Sequence, residues 1–430
     1  MIDRIYRLYC HWRNYGSAAV GQLIMRKLSG QNQPSSDVMQ FYGDMNVSQI
    51  LRARFPSLAP LRAYSLSGAH IRRVNIVTDS INNGSLYAGV GTAIIFAAFL
   101  AEKLNAQIRI ITRTERSKPE NLEHLLSTYG MELKNEVIFK FAAFYDQNYQ
   151  LDIFQDDIFL TTSWWTTAAT LPSVPAANII YLLQEDERIF YPFGDERLQC
   201  ESILRNRDIR FLINTKILFE HLAQSGLDNI AEKGTWFEPS FPSQVFHPRK
   251  IDRQGKRRFF FYARPNNVRN LFYLGIEVIE QAIRRHVLDM ESWDIYLVGR
   301  DIPDITFCGD YKPKQYENMT WAEYADLAGT VDLGLILMYS PHPSYPPLDL
   351  VASGAVVVTN RFANKTDLSG YSPNLICADL ETDALVDALR QGVNVATDAI
   401  EREKNFQKNT LLSDWHESFA GALKQFAGGA

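Results

Sequence analysis

Residues 341–354 read Pro341-His342-Pro343-Ser344-Tyr345-Pro346-Pro347-Leu348-Asp349-Leu350-Val351-Ala352-Ser353-Gly354. An apolar run, Leu333 to Met338, precedes them and reads as a buried strand. Leu348 to Ser353 reads as a short helix, and Ala355 to Thr359 as the next strand. Pro346 and Pro347 suit a helix start, where a proline forfeits no intrahelical hydrogen bond. Free amides and the helix dipole at such a start favour a phosphate, with Asp349 expected in the first turn beside it. Strand, loop, helix and strand in this order mark a parallel α/β sheet with a ligand site on the loop.

Outward from this stretch the rhythm repeats. Phe259 to Ala263 and Trp293 to Val298 are strand candidates, with a helix over Val268 to Arg285 between them and another over Ala322 to Gly329. Residues 239 to 256, carrying Pro239, Pro242 and Pro248, break the pattern and suggest a domain boundary. Before the break, Val74 to Thr78, Gln107 to Thr112, Ile158 to Thr162, Asn178 to Leu183, Arg210 to Ile213 and Thr235 to Phe237 read as strands. Helices are expected over Thr92 to Leu104, Asp195 to Arg205 and Thr215 to Gln224. The expected organisation is an extension over 1–70, one Rossmann-like domain over 71–245, a second over 246–400, and a C-terminal helix over 401–430 packing back on the first. Ligands of such folds lie at the carboxyl ends of the strands, here in a cleft between two sheets.

The chain has 430 residues, 46% hydrophobic and 22% charged, as ordinary globular proteins do. A net charge of −5 argues against coating nucleic acid. Cys10, Cys200, Cys308 and Cys377 lack metal-ligand spacing and read as small apolar fillers. No stretch of the sequence is long and apolar enough to span a bilayer, and no signal-peptide core is expected, so a cytoplasmic setting is inferred. Residues 1–30 mix Ile2, Ile5, Tyr6, Leu8 and Trp12 with Arg4, Arg7, Arg13, Arg26 and Lys27. They read either as a basic amphipathic helix in peripheral contact with a membrane or as a helix packed on the protein body.

Several strand-end loops carry candidate site residues. Gly89 and Gly91, in a loop opening a helix, permit close approach to a ligand or make a tight turn; the G-x-G-x-x-G spacing of a dinucleotide site is absent. Trp164 and Trp165 could stack on a sugar or seal the core. In Gln184-Glu185-Asp186-Glu187-Arg188, Glu185 and Glu187 are the inward candidates to hold sugar hydroxyls or act as a base, against a solvated charge run. Arg264 ends a strand beside Tyr262 and could neutralise a departing pyrophosphate, with Arg269 in support, or form a surface salt bridge. Gly299 ends another strand and allows close approach.

In this order these pieces resemble glycosyltransferases of the GT-B fold, and within them the WsaF-like bacterial rhamnosyltransferases. The resemblance lies in Phe261-Tyr262-Ala263-Arg264-Pro265, Tyr324-Ala325-Asp326-Leu327, His342 through Asp349, Val358-Thr359-Asn360 and Asn364-Lys365. Thr162 through Thr166 and Gln184-Glu185 add to it. It implies two Rossmann-like, doubly wound domains facing across a cleft, with an N-terminal helical extension. It further implies a nucleotide-sugar donor, dTDP-β-L-rhamnose, in the second domain and a glycan or lipid-linked glycan acceptor in the first. No metal and no cofactor are expected, because basic side chains and helix dipoles offset the diphosphate.

On this resemblance Arg264, Asp349 and Glu185 are the expected catalytic residues. Tyr262, Gly299, Ser344, Tyr345, Pro346, Pro347, Leu348 and Asn360 are expected on the donor, and Gly89, Gly91, Trp164, Trp165 and Glu187 on the acceptor. Asp349 stands where relatives carry glutamate, Glu185 where an aspartate is expected, and Asn318 where the family tends to place a lysine. The implied reaction is front-face transfer onto a growing bacterial surface polysaccharide. A nucleotide-sugar epimerase or hydrolase on the same fold, or a non-catalytic glycan- or nucleotide-binding protein, are the alternatives.

Overall fold

The computed structural model describes residues 46–82, 89–133, 135–146, 148–249 and 255–428. The expected N-terminal helix over residues 1–30 lies outside them. Contacts divide the chain into two units, Met1–Ala59 and Pro60–Ala430. The described part of the first carries the helix Val47–Arg54, opened by a capping box between Asn46 and Gln49.

The second unit is built on two parallel sheets. Strands β1 (Ala63–Ser65) and β5 (Leu151–Ile153) form a separate parallel pair. The first large sheet contains β2 (Arg73–Thr78), β3 (Gln107–Thr112), β4 (Ile138–Phe141), β6 (Ile158–Thr161), β7 (Ile179–Leu183), β8 (Arg210–Asn214) and β9 (Thr235–Phe237). Its spatial order is β4-β3-β2-β6-β7-β8-β9. The second contains β10 (Arg257–Ala263), β11 (Trp293–Gly299), β12 (Lys314–Glu317), β13 (Leu333–Leu335), β14 (Val356–Asn360) and β15 (Leu375–Ala378). Its order is β12-β11-β10-β13-β14-β15. In each sheet the order reverses once, between β2 and β6 and between β10 and β13. Loops leave these neighbouring strands in opposite directions, and a crevice opens at their carboxyl ends.

Both faces of each sheet are covered, which explains the continuous apolar runs of the strands. In β10, Phe259 and Phe261 enter one core and Phe260 the other, as the two-residue period requires. The helix Gly91–Leu104 is buried along Gly91 to Ala101 because the C-terminal helix Trp415–Ala427 covers its outer side. Phe419 meets Phe96 at 5.1 Å and Phe237 at 4.8 Å between ring centres. A buried charge network secures the amino ends of the first sheet. Arg73 forks onto Asp157 and Asp152, and the fully buried Arg109 donates to Asn75 Oδ1 at 2.6 Å.

Candidate functional site

The two sheets turn their carboxyl ends toward each other. Glu185, just past β7, is where they meet. Arg269 Nη1, in the loop after β10, donates to Glu185 Oε2 at 2.8 Å. Ser340 Oγ, in the loop after β13, donates to Glu185 Oε1 at 2.6 Å. Burial pushes the Glu185 carboxyl up, while Arg269 and Ser340 oppose the shift. Both oxygens are thus held by the opposite sheet. The geometry gives a carboxylate and a guanidinium that can part only when something else takes one of them.

The loop carrying Ser340 is fixed from below. Asn360 accepts from Met338 N at 2.7 Å and donates to Met338 O at 3.0 Å. Lys365, fully buried, donates to the same carbonyl at 3.3 Å. Desolvation lowers the Lys365 ammonium to about 8. The amide of His342 donates to Ser340 Oγ at 2.9 Å, and Ser344 N donates to His342 Nδ1 at 2.9 Å. An accepting Nδ1 leaves the proton on Nε2, so His342 is neutral. Burial and the nearby Lys365 and Arg269 charges agree, lowering its pKa to about 3.

Ser344 takes φ of +71°, turning the chain sharply into the helix Tyr345–Ala352. That helix starts three residues earlier than Leu348, so Pro346 and Pro347 occupy its second and third positions. Neither has an N–H, so this start offers an anion only the Tyr345 and Leu348 amides of its first turn. Asp349 accordingly falls in the second turn, not the first. It is 2% exposed and accepts from Tyr324 OH at 3.1 Å, and its Oδ1 has no hydrogen-bond partner among the described residues. Burial raises its pKa well above the usual carboxylate range, and the Tyr324 hydrogen bond opposes the shift. With Thr92, Tyr345 and Trp415 it lines a small cavity of about 20 Å³.

The other expected residues sort by their contacts. Arg264, half-buried after β10, donates to Tyr262 OH at 3.3 Å, and its charge opposes that of nearby Arg269. Tyr345 OH accepts from Asn214 Nδ2 at 2.9 Å and lies 2.7 Å from Thr92 Oγ1, reaching across to the first sheet. Gly91 opens the helix Gly91–Leu104, and the Gly89 carbonyl accepts from Gln184 Nε2 at 2.7 Å. Several expectations change. Leu348 is buried in the core beneath the second sheet. Any Cβ on Gly299 would overlap the Ala263 carbonyl, so its glycine serves backbone packing. The Asn360 amide is spent on Met338 and Arg361 O. Trp164 is buried with its indole N–H on Tyr191 OH at 2.9 Å, and so seals the core. Trp165 stays half-buried, its indole N–H on Asp79 Oδ2 at 2.8 Å across the β2–β6 crevice. Glu187 is buried and accepts from the first amide of the helix Trp164–Thr170 at 2.8 Å. Desolvation pushes it up to about 8, and it acts as a cap rather than a hydroxyl ligand. Asp186 is no solvated charge either, pairing with Arg188 and His221.

Sequence reasoning left out Ser340, Thr92 and Asn214, and did not pair Arg269 with Glu185. Their only signal is position, since each follows a strand or opens the helix after one. Among the described residues no group of histidine, cysteine and carboxylate side chains could hold a metal ion, and no helix is long and apolar enough to cross a membrane.

Comparison with known proteins agrees with this architecture. HepE of Anabaena, solved with UDP-glucose, superposes with a TM-score of 0.55 at 12% identity, covering 84% of this chain and 99% of that one. Sucrose-phosphate synthase of Thermosynechococcus elongatus gives 0.54 at 11% identity, covering 84% and 100%. Such likeness identifies the GT-B fold. The O-antigen biosynthesis protein RfbC of Myxococcus xanthus is 30% identical over 247 residues, 55% of this chain and 18% of that protein's length. Residues 73–216 match the WsaF N-terminal domain and residues 257–390 the WsaF C-terminal domain, and the chain belongs to the WsaF family.

Proposed function

We propose that this chain is a glycosyltransferase that moves a sugar from a nucleotide diphosphate to a glycan acceptor in surface polysaccharide synthesis. One observation carries the reading. Glu185 of the first sheet faces Arg269 and Ser340 of the second at the carboxyl ends of both. Transfer between two large substrates needs such a place, where each sheet presents one of them. The 30% identity to an O-antigen biosynthesis protein supports the polysaccharide setting.

In the proposed reaction the bond between the anomeric carbon and the diphosphate oxygen breaks, and the acceptor oxygen bonds to that carbon. Arg264 and Arg269, with buried Lys365 behind them, would take the negative charge that develops on the leaving diphosphate. A diphosphate on Arg269 competes with Glu185 for the guanidinium. Glu185 is then released to hold the acceptor hydroxyl and to take its proton as the new bond forms. The acceptor belongs on this reading to the 71–245 half and the donor to the 246–400 half. The finer proposal is a dTDP-L-rhamnose donor and no metal or other cofactor, with the enzyme on the inner membrane face through residues 1–30. The test is release of nucleoside diphosphate from dTDP-, UDP- and GDP-sugars, with and without glycan and with EDTA. Glycan-stimulated release is expected. Binding without release from any donor would leave a glycan- or nucleotide-binding protein, and release indifferent to every glycan would leave a hydrolase.

A further inference from the structure

The β2–β6 crevice of the first sheet holds a second carboxyl that the transfer chemistry does not use. Asp79 follows β2 directly, and Trp165 is the second residue of the helix Trp164–Thr170 after β6. The Asp79 carbonyl accepts from the Thr114 amide at 3.0 Å and the Thr114 hydroxyl at 2.8 Å, which ties its backbone to the end of β3. Trp165 Nε1 donates to Asp79 Oδ2 at 2.8 Å, and no donor among the described residues reaches Oδ1. Both residues are half-buried. Burial pushes the Asp79 carboxyl up, while the Trp165 bond and the Arg113 charge oppose the shift. This unit is joined to Glu185 by direct contact. Glu187 accepts from the Trp164 amide at 2.8 Å, so the loop carrying Glu185 caps the helix carrying Trp165. β6 lies between β2 and β7, with Val77, Thr161 and Tyr181 in register. Two strand spacings and a rise of two residues put Asp79 and Glu185 roughly 10–12 Å apart. Two hydrogen bonds take about 5.5 Å of that, which leaves the length of one sugar ring.

We infer that Asp79 and Trp165 hold the terminal sugar of the acceptor, a neutral one, with Asp79 Oδ1 accepting one hydroxyl while another reacts at Glu185. This rests on the transferase reading and specifies its acceptor. The subsite lies on the first sheet alone, to one side of Glu185, so a sugar fills it while Arg269 and Ser340 stay with the donor on the second sheet. A fixed carboxyl oxygen without a donor takes hydroxyls, and an indole beside it offers an apolar ring to the C–H groups of a sugar. Charge sorts the sugars. Asp79 repels an anionic ligand. A cationic ligand gains little, because Arg113, 4% exposed and donating to Ala142 O at 3.0 Å, sets a fixed positive charge behind Asp79. A neutral hexose or deoxyhexose satisfies both, and a uronic acid or an amino sugar does not.

The probes are methyl glycosides of neutral hexoses and 6-deoxyhexoses, of hexuronic acids and of aminohexoses. Saturation-transfer NMR gives their binding, and nucleoside diphosphate release gives KM. The wild-type chain should bind at least one neutral glycoside about tenfold more tightly than its uronic and amino counterparts. Asp79→Asn is the discriminating variant, because its amide oxygen still accepts from Trp165 while its NH2 turns the free end from acceptor to donor. It should melt as the wild-type chain does and raise KM for the neutral glycoside about tenfold. It should also move KM for the sugar nucleotide less than about twofold and narrow the gap to the uronic glycoside. Trp165→Ala should weaken the same glycoside, and Trp165→Phe, which keeps a ring, should recover part of the loss. An unchanged glycoside KM in Asp79→Asn, equal binding of neutral and uronic glycosides, or binding of none of the probes would overturn the subsite. So would a KM that rises only together with a lost melting temperature, because Asp79 would then be structural. Asp79-dependent binding of a neutral glycoside with no release from any sugar nucleotide would reject the transferase reading and keep the subsite.

Discussion

The Tyr345 hydroxyl lies 2.9 Å from Asn214 Nδ2, joining the helix after β13 to the end of β8 in the other sheet. It also meets Thr92 Oγ1 at 2.7 Å, so one phenol oxygen ties two first-sheet elements to the proposed donor helix. Asn214 in turn donates to Gln184 at 3.2 Å, and Gln184 holds the Gly89 carbonyl. The latch thus reaches from the donor helix to the loop beside Glu185. Tyr345→Phe removes both bonds and keeps the ring packing. It should cost about 1–3 kcal/mol of stability, since the buried Asn214 amide loses an acceptor. It should also raise the radius of gyration in small-angle scattering as the sheets part. A variant that melts and scatters like wild type would show that the sheets are held together elsewhere.

A double-mutant cycle tests the Glu185–Arg269 pair. Arg269→Ala leaves a buried carboxylate with Ser340 and the Asp186 amide, both on the same oxygen, and Glu185→Gln leaves a guanidinium facing an amide. Each change alone should lower turnover about 100-fold, and the double variant should be no worse than the poorer single. Full additivity in log rate would mean that the two residues act separately.

The sheets were legible because burial on both faces writes strands as unbroken apolar runs, as in Val356–Asn360. The strands of the two large sheets that went unread, Ile138–Phe141, Lys314–Glu317 and Leu375–Ala378, are edge strands in the sheet order, and Lys314–Glu317 is exposed throughout. The Glu185 loop was legible because a carboxylate past an apolar strand has few reasons to be there. Its partner was not, because Arg269 is separated from Glu185 by most of a domain and only the folded cleft pairs them. The direction of a side chain was the least legible quantity. Asp349, Leu348 and Asn360 lie on the expected elements and point away from the site.

Asp349 gives a sharp test of that last point. A carboxyl whose charged form is disfavoured by burial should tolerate replacement by a neutral amide of the same shape. Asp349→Asn should keep KM for the donor within about threefold and stability within about 1 kcal/mol. Asp349→Ala loses the Tyr324 bond and enlarges the 20 Å³ cavity, and should cost about 1–3 kcal/mol. A large loss of donor binding in Asp349→Asn, with stability intact, would return this carboxyl to the donor site.

Glu187 should leave a mark on stability against pH. Its folded pKa of about 8 lies above its ordinary 4.5, so between these values the folded chain holds a proton that the unfolded chain has lost. Stability therefore falls as pH rises through that window, and the loss is complete above about 8. His342 opposes it lower down, because its pKa drops from 6.5 to about 3 and stability there rises with pH. Lys365, lowered from 10.5 to about 8, contributes a rise only at higher pH. The interval from 6.5 to 8 is thus where the Glu187 effect stands clear of these two. Glu187→Gln keeps an acceptor for the Trp164 amide and cannot ionise. Denaturant melts should show the wild-type chain losing about 1.5–2 kcal/mol across this interval and the glutamine variant losing much less. The variant should then be the more stable of the two in alkaline buffer. Parallel profiles for the two chains would mean that Glu187 is already ionised in the fold and that the Trp164 amide carries its charge.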